Sequence, residues 1–198
     1  IAVMANELMN GANPALLMYS GLTKGAAGLI AACGNDWAKE KCCEKLFTGE
    51  WAGTMCLTEA HAGTDVGSSR TKATSNGDGT YNIEGEKIFI SCADHQMVDN
   101  IIHLVLARLP DAPKGSKGIS IFIVPTQSEG LSIRPLNTLG GNNVHATYYD
   151  NVKIPLENIV GQENNGWRLI TGQLNHERVA LNAVGPMEKL YEGTVAWA

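Results

Sequence analysis

Between Met55 and Tyr149 the chain is a succession of short runs rich in β-branched and aromatic residues, broken at near-regular intervals by turn residues. The runs are Met55–Leu57, Arg70–Thr74, Tyr81–Ile83, Lys87–Ser91, Ile101–Ala107, Ile119–Val124, Leu131–Arg134 and His145–Tyr149. Runs this short do not make helices. At this spacing they predict antiparallel strands arranged as a barrel or sandwich of about 100 residues. Asn76-Gly77-Asp78-Gly79 offers several positions that tolerate positive φ, the requirement of a tight hairpin. Pro110–Lys117 reads as a polar loop, and Asn151–Pro155 leads out of the β-region.

The flanks read differently. The first third carries few β-branched residues, and its Ala-rich run with Gly21, Gly25 and Gly28 suits closely packed helices. Asn13-Pro14 marks a break or a new first turn. A second helix is expected from a cap at Asn35 or Asp36 to about Phe47, closed by Thr48-Gly49. Near the end, Trp167, Ile170, Leu174, Leu181 and Val184 recur at helical spacing, until Gly185-Pro186 kinks or interrupts the helix. The expected fold class is therefore α+β: an antiparallel β-barrel or sandwich middle domain at 51–160, flanked by helices at 1–50 and 161–198.

Composition narrows the function. The 198 residues fit one domain with flanking helices, and 44% hydrophobic with 18% charged content is that of an ordinary soluble protein. Net charge is −5 with no Lys/Arg cluster, which argues against nucleic acid as a partner. No uninterrupted apolar run reaches about 18 residues, so no membrane span is expected. The chain opens on Ile1 without a targeting pattern, which suggests a piece of a longer or processed chain. The five cysteines are odd in number and form no Cys-x-x-Cys pair. Neither a disulfide framework nor a zinc site is indicated, and free thiols in a reducing cytoplasm are expected. Adjacent Cys42 and Cys43 should lie on a helix, one buried and one half exposed. The histidines lack metal-ligand spacing, so no metal is expected. His103 reads as a satisfied core residue; His61 lies in a loop, either solvated or touching a ligand. No glycine-rich phosphate loop opens a βαβ unit, which excludes a dinucleotide-binding doubly wound domain.

Three segments carry residues suited to chemistry. From Met55 to Asp65 an apolar run exits into a small-residue loop bearing Thr58, Glu59, Thr64 and Asp65. Such an exit brings backbone N–H groups and short side chains close to a ligand. In Lys87–Ser91, strand alternation puts Lys87, Phe89 and Ser91 on one face. That face is either a flat wall with a donor beside it or a half-buried strand with a polar end. On the last helix Glu177 falls on the side of Ile170, Leu174, Leu181 and Val184, with Arg178 on the opposite flank near Trp167. A carboxylate on an apolar face has a raised pKa and suits a general base; the alternative is a pair of rim residues bound to other helices.

These segments, in this order, resemble the acyl-CoA dehydrogenase family. Leu57-Thr58-Glu59 followed by Ala62-Gly63-Thr64-Asp65 resembles its first signature. Asn82–Ser91 is similar to its Asn-Gly-x-Lys-x-Trp-Ile-Thr segment, and Asn175-His176-Glu177-Arg178-Val179 follows Asn165-Gly166-Trp167 as its C-terminal helix would. The resemblance implies the end of an N-terminal helical domain (1–50), a middle β-domain (51–160) and the start of a C-terminal helical domain (161–198). It implies FAD, bound by Met55, Cys56, Leu57, Thr58, Phe89, Ile90 and Ser91. In this picture Thr58 bonds the pyrimidine side of the ring, Phe89 stands for the usual Trp, and Ser91 stands for the usual Thr beside N5. Thr64, Asn175 and Arg178 would face the acyl-CoA. Most members carry the catalytic base beyond the end of this chain, whereas isovaleryl- and long-chain-type enzymes carry a Glu before the Arg of this helix. Glu177 is the candidate base on that pattern. The implied reaction is α,β-dehydrogenation of an acyl-CoA thioester, in a homo- or hetero-oligomer, as a tetramer, that passes electrons to an electron-transfer flavoprotein. Two alternatives are a catalytically silent acyl-CoA-binding subunit and a flavin oxidase or monooxygenase on the same fold. Ala60 replaces the family's usual Pro, which should loosen the loop.

Overall fold

The computed structural model describes the backbone of residues 2–141, 144–180 and 184–198, and their side chains apart from residues 2, 176–180 and 184. Helix α1 (Ala2–Ala12) is followed at once by α2 (Pro14–Cys33). Asn13 caps α2 by accepting from Leu16 N at 3.0 Å, and Pro14 fills the first turn, where its missing N–H is harmless. The helix expected from residue 35 or 36 is present. Asn35 caps it, accepting from Ala38 N at 2.8 Å, and it runs as α3 (Asp36–Ala38), a π-helical turn (Lys39–Cys43) and α4 (Glu44–Thr48). Gly49 ends it in the left-handed conformation with φ 80°.

Seven strands form one sheet: β1 (Ala52–Cys56), β2 (Lys72–Ser75), β3 (Thr80–Ser91), β4 (Ile101–Arg108), β5 (Ile119–Pro125), β6 (Leu131–Leu136) and β7 (Val144–Pro155). Their order is β1-β4-β2-β3-β7-β6, with β5 also on β4. The α+β architecture is as expected, but the sheet is mixed. β1 pairs with β4 in parallel, from Ala52↔Ile101 to Cys56↔Val105, and β2 meets β4 in parallel at Lys72↔Arg108. The runs Tyr81–Ile83 and Lys87–Ser91 are one strand, because Gly85 at φ 147° lets β3 bend without breaking. A Cβ on Gly85 would sit 2.6 Å from Thr71 Oγ1. β7 likewise continues through residues 151–155, which were expected to lie outside the β-region.

β4 separates two cores. Ile102, Leu104 and Leu106 face the helices with Ile119, Ile121 and Ile123 of β5, packing on Ala26, Ala27 and Ile30 of α2, Leu46 of α4 and Ile170 of α5 (Gly166–Ala180). Val105 and Ala107 face the inside of the curled sheet with Tyr81, Ile83, Phe122, Tyr149 and Val152. A strand covered on both sides reads as a near-continuous apolar run, as β4 does apart from His103. Helix α2 approaches β1 at Gly53, where a Cβ would fall 2.6 Å from the Ala26 methyl. With 20 residues and a mean hydropathy of 1.3, α2 is long and apolar enough to cross a membrane, because Lys24 alone does not offset its Leu, Ile and Ala content. Its buried face here packs on β1 and on Leu46. Helix α6 (Val184–Trp197) carries Gly185 and Pro186 in its first turn, where proline is tolerated.

Candidate functional site

The curl of the sheet brings the end of β1 against β3, although the two strands are not neighbours in the sheet order. Thr54 Oγ1 donates to Ser91 O at 2.7 Å, and Ile88 N donates to Thr58 O at 2.9 Å. Two segments some thirty residues apart thus lie side by side. Met55–Thr58 and Phe89–Ser91, separate in the sequence, are brought together by the fold.

A β-bulge decides what β3 presents there. Lys87 pairs with Thr147 and Ile90 with His145, so three steps along β3 match two along β7. Phe89 carries the extra residue's strain at φ 59°, rare for a bulky side chain. Without the bulge, Phe89 would follow Ile83 and Lys87 inward. With it, Ile90 takes the inward place, and the Phe89 ring is 63% exposed. The expectation that Lys87, Phe89 and Ser91 share one face is therefore wrong, because the bulge shifts the alternation between Lys87 and Phe89. Lys87 is fully buried, Phe89 is exposed and Ser91 is half-buried. Phe89 thus offers a large exposed ring, with the half-buried Ser91 two residues further along the strand. Such a pair suits an aromatic cofactor with an apolar face and a polar edge.

The other cofactor candidates divide by burial. Leu57 and Thr58 are half-exposed at the strand exit. Met55 is turned into the helix-facing core, while Cys56 and Ile90 point into the inner core. These three can reach a ligand only through their backbone. Cys56 Sγ lies 3.6 Å from His103 Nδ1 and is hydrogen-bonded to the Tyr149 hydroxyl. Burial pushes its thiol up to about 12, which makes it an unreactive packing group. His103 is the satisfied core residue expected, with Nε2 3.1 Å from Ala93 O; burial lowers it to about 4.

Below the loop lies a network that the sequence did not reveal. Glu59 and Lys87 form a buried ion pair, with Oε1 and Nζ 2.8 Å apart. Lys87 Nζ also donates to Leu57 O at 3.1 Å. The Glu59 carboxylate accepts from Arg70 N at 2.6 Å, Thr71 N at 3.0 Å and Thr71 Oγ1 at 2.7 Å. Burial opposes the charge on Glu59, but Lys87 and these donors outweigh it and hold the carboxyl at about 2. Burial lowers Lys87, and the adjacent carboxylate works against that shift. The one available signal was a Lys opening the apolar run Ile88–Ile90 of β3. Around Ala60, Glu59 and Ala62 exchange both backbone hydrogen bonds at 3.1 and 3.0 Å.

Thr64 is exposed on the following loop, and His61 there has Nε2 3.2 Å from Ser68 O. Arg108 fastens this loop from behind. It donates through Nε to Ser69 O at 3.1 Å, through one terminal nitrogen to Gly67 O at 2.5 Å and to Gly115 O, and through the other to Pro113 O at 2.9 Å. Asn175 is exposed on α5, which packs on α2 and β5. Glu177 and Arg178 continue α5 after Gln173 and Leu174, but their side chains lie outside the described residues, as does Leu181. Among the described residues no group of His, Cys, Asp and Glu could hold a metal ion. All five cysteines are free thiols, Cys42 buried and Cys43 half-exposed as expected.

Residues 54–152 match the family model for the acyl-CoA dehydrogenase middle domain. The chain belongs to the acyl-CoA dehydrogenase family. It is 37% identical over 213 residues to 3-methylmercaptopropionyl-CoA dehydrogenase of Ruegeria pomeroyi, an alignment covering all of this chain and 36% of that protein. Among solved structures, the Tcur3481-Tcur3483 steroid acyl-CoA dehydrogenase matches at TM-score 0.79 and 43% identity, over 87% of this chain and 44% of that one. The ChsE4-ChsE5 complex from Mycobacterium tuberculosis matches at TM-score 0.77 and 38% identity, over the same shares. The chain thus spans between a third and a half of the length of these relatives. The matched residues begin inside β1 and end in β7, so the middle domain of the acyl-CoA dehydrogenases accounts for the sheet.

Proposed function

We propose that the protein carrying this chain performs FAD-dependent α,β-dehydrogenation of an acyl-CoA thioester to a trans-2-enoyl-CoA. The observation that carries this reading is the juxtaposition of the Leu57-Thr58 strand exit with the Phe89–Ser91 segment, in which Phe89 is exposed. FAD, when bound, supplies the hydride acceptor, and the protein supplies binding and orientation. Phe89 offers the apolar wall, Ser91 and Thr58 the polar contacts to the ring edge, and Met55, Cys56, Leu57 and Ile90 their backbone. Thr64, Asn175 and Arg178 are assigned to the acyl-CoA. Glu177 is assigned to remove the α-proton, a task for a carboxylate raised toward neutrality by an apolar setting.

In this reading residues 1–50 end an N-terminal helical domain, 51–160 form the middle domain and 161–198 open a C-terminal helical domain. The assembly is a tetramer, in the cytoplasm, with an electron-transfer flavoprotein as acceptor. The five free thiols agree with a reducing compartment. The relatives' names favour a thioester of a short sulfur-containing acid or of a steroid side chain. The naming of two of them as two-component pairs supports a second reading, in which this chain belongs to a silent partner subunit.

The test is to express the full reading frame and record flavin absorbance while acyl-CoAs are added without oxygen. Bleaching by one thioester class, lost in Glu177→Gln with FAD retained, is the expected result. A flavin that no thioester bleaches, or that reoxidises rapidly in air, would favour an oxidase or monooxygenase. Absence of flavin would favour the silent subunit and remove the role of Glu177.

A further inference from the structure

We infer that Glu59 and Lys87 are a positioning pair that sets the Leu57-Thr58 strand exit against the Phe89 bulge; this rests on the FAD reading above. Both side chains are buried, so they act through what they hold. Burying two charges is expensive, and an apolar pair of similar volume is often as stable. An ion pair at this place has another effect: its hydrogen bonds are directional. Lys87 Nζ fixes Leu57 O, one residue from Thr58. The neighbouring Ile88 N fixes Thr58 O itself, one residue before Phe89. Glu59, next to Thr58, ties the strand exit to the start of β2 through Arg70 N, Thr71 N and Thr71 Oγ1. Glu59 and Ala62 close the intervening turn on themselves. Each tether ends on, or one residue away from, a group that would face the flavin ring. The pair thereby fixes two otherwise independent elements, a loop and a bulge, in one arrangement. Electrostatic attraction makes that arrangement stiff, because Lys87 Nζ at 2.8 Å is the nearer charged partner of Glu59, with His61 Nε2 3.6 Å from its other oxygen at the rim.

The experiment uses the full reading frame as holoenzyme, with Lys87→Met, Glu59→Gln and the charge-free double variant. Lys87→Met leaves Glu59 its three other donors. The double variant buries no unpaired charge and keeps the test decisive where a single variant fails to fold. Ile83→Val serves as a control that loosens the same inner core without touching a tether. We expect the pair variants to bind FAD about tenfold more weakly, the loss of roughly one charge-assisted hydrogen bond's worth of ordering. They should shift the oxidised flavin spectrum and lower kcat by up to about 100-fold with little change in KM for the thioester. The control should keep wild-type FAD affinity. Pair variants with wild-type FAD affinity, spectrum and kcat would overturn the inference, even with a lowered Tm, as would equal FAD loss in the control. A wild-type protein without flavin would instead sink the FAD reading.

Discussion

Acid should destabilise this protein well before its carboxylates protonate, and His103 is the reason. The imidazole is fully buried, with Nδ1 against Cys56 Sγ and Nε2 against Ala93 O and Thr126 Oγ1. Burial lowers it from 6.5 to about 4. An unfolded chain protonates this group near 6.5, and the folded one resists until about 4. Between those values the unfolded state binds more protons, so stability falls as pH falls. At about 1.4 kcal/mol for each pH unit, the gap amounts to about 3 kcal/mol, fully lost below about pH 4. The assay is urea unfolding at steps from pH 7.5 to 4, with His103→Gln as comparator. The wild type should lose stability through this window, and the variant should start lower but show a flatter profile. Identical slopes in the two proteins would show that His103 is not held neutral and would refute the reasoning.

Glu59 should set a second acid loss. Its folded value of about 2 lies below the ordinary 4.5, so its stabilisation is present above 4.5 and disappears as pH falls toward 2; Glu59→Gln should remove that slope in the same titration. Gly85→Ala should lower stability by about 1–3 kcal/mol, since the methyl meets Thr71 and alanine resists φ 147°; an unchanged denaturation midpoint would contradict the close approach. Phe89→Ala should leave stability within about 0.5 kcal/mol, because an exposed ring contributes little to the core, yet weaken FAD in a flavin titration; a large fall in Tm with normal FAD binding would reverse that assignment. Tyr81→Phe should lose about 1 kcal/mol with its 2.5 Å bond to Glu163, while its edge contact with Phe122 persists; denaturation of the pair with Glu163→Gln tests the coupling.

Much of the architecture is written in local signals. The Asn13 and Asn35 caps, the Asn76–Gly79 turn and the β-rich runs specify helices, hairpin and strands without help from distant residues. The doubly buried β4 is legible as an apolar run interrupted only by His103. The two segments that the fold brings together, Met55–Thr58 and Phe89–Ser91, also stand out locally, one as a small-residue strand exit and the other as an aromatic near a hydroxyl. Their orientation was not recoverable. Period-2 alternation turns Phe89 inward, and only the unequal register of β3 against β7 turns it out.

What the sequence alone determined is thus the set of elements and their order, since caps, turns and periodicity act over a few residues. The tertiary structure decided which way those elements face and what lies behind them. It made β1 run parallel to β4, brought the end of β1 to β3, and closed the Glu59–Lys87 pair across 28 residues of chain. A bulge depends on how two strands meet, and a buried charge persists only where its partner arrives by folding. Neither condition can be read from neighbours in sequence, so the exposed Phe89 wall and the ion pair beneath it belong to the fold.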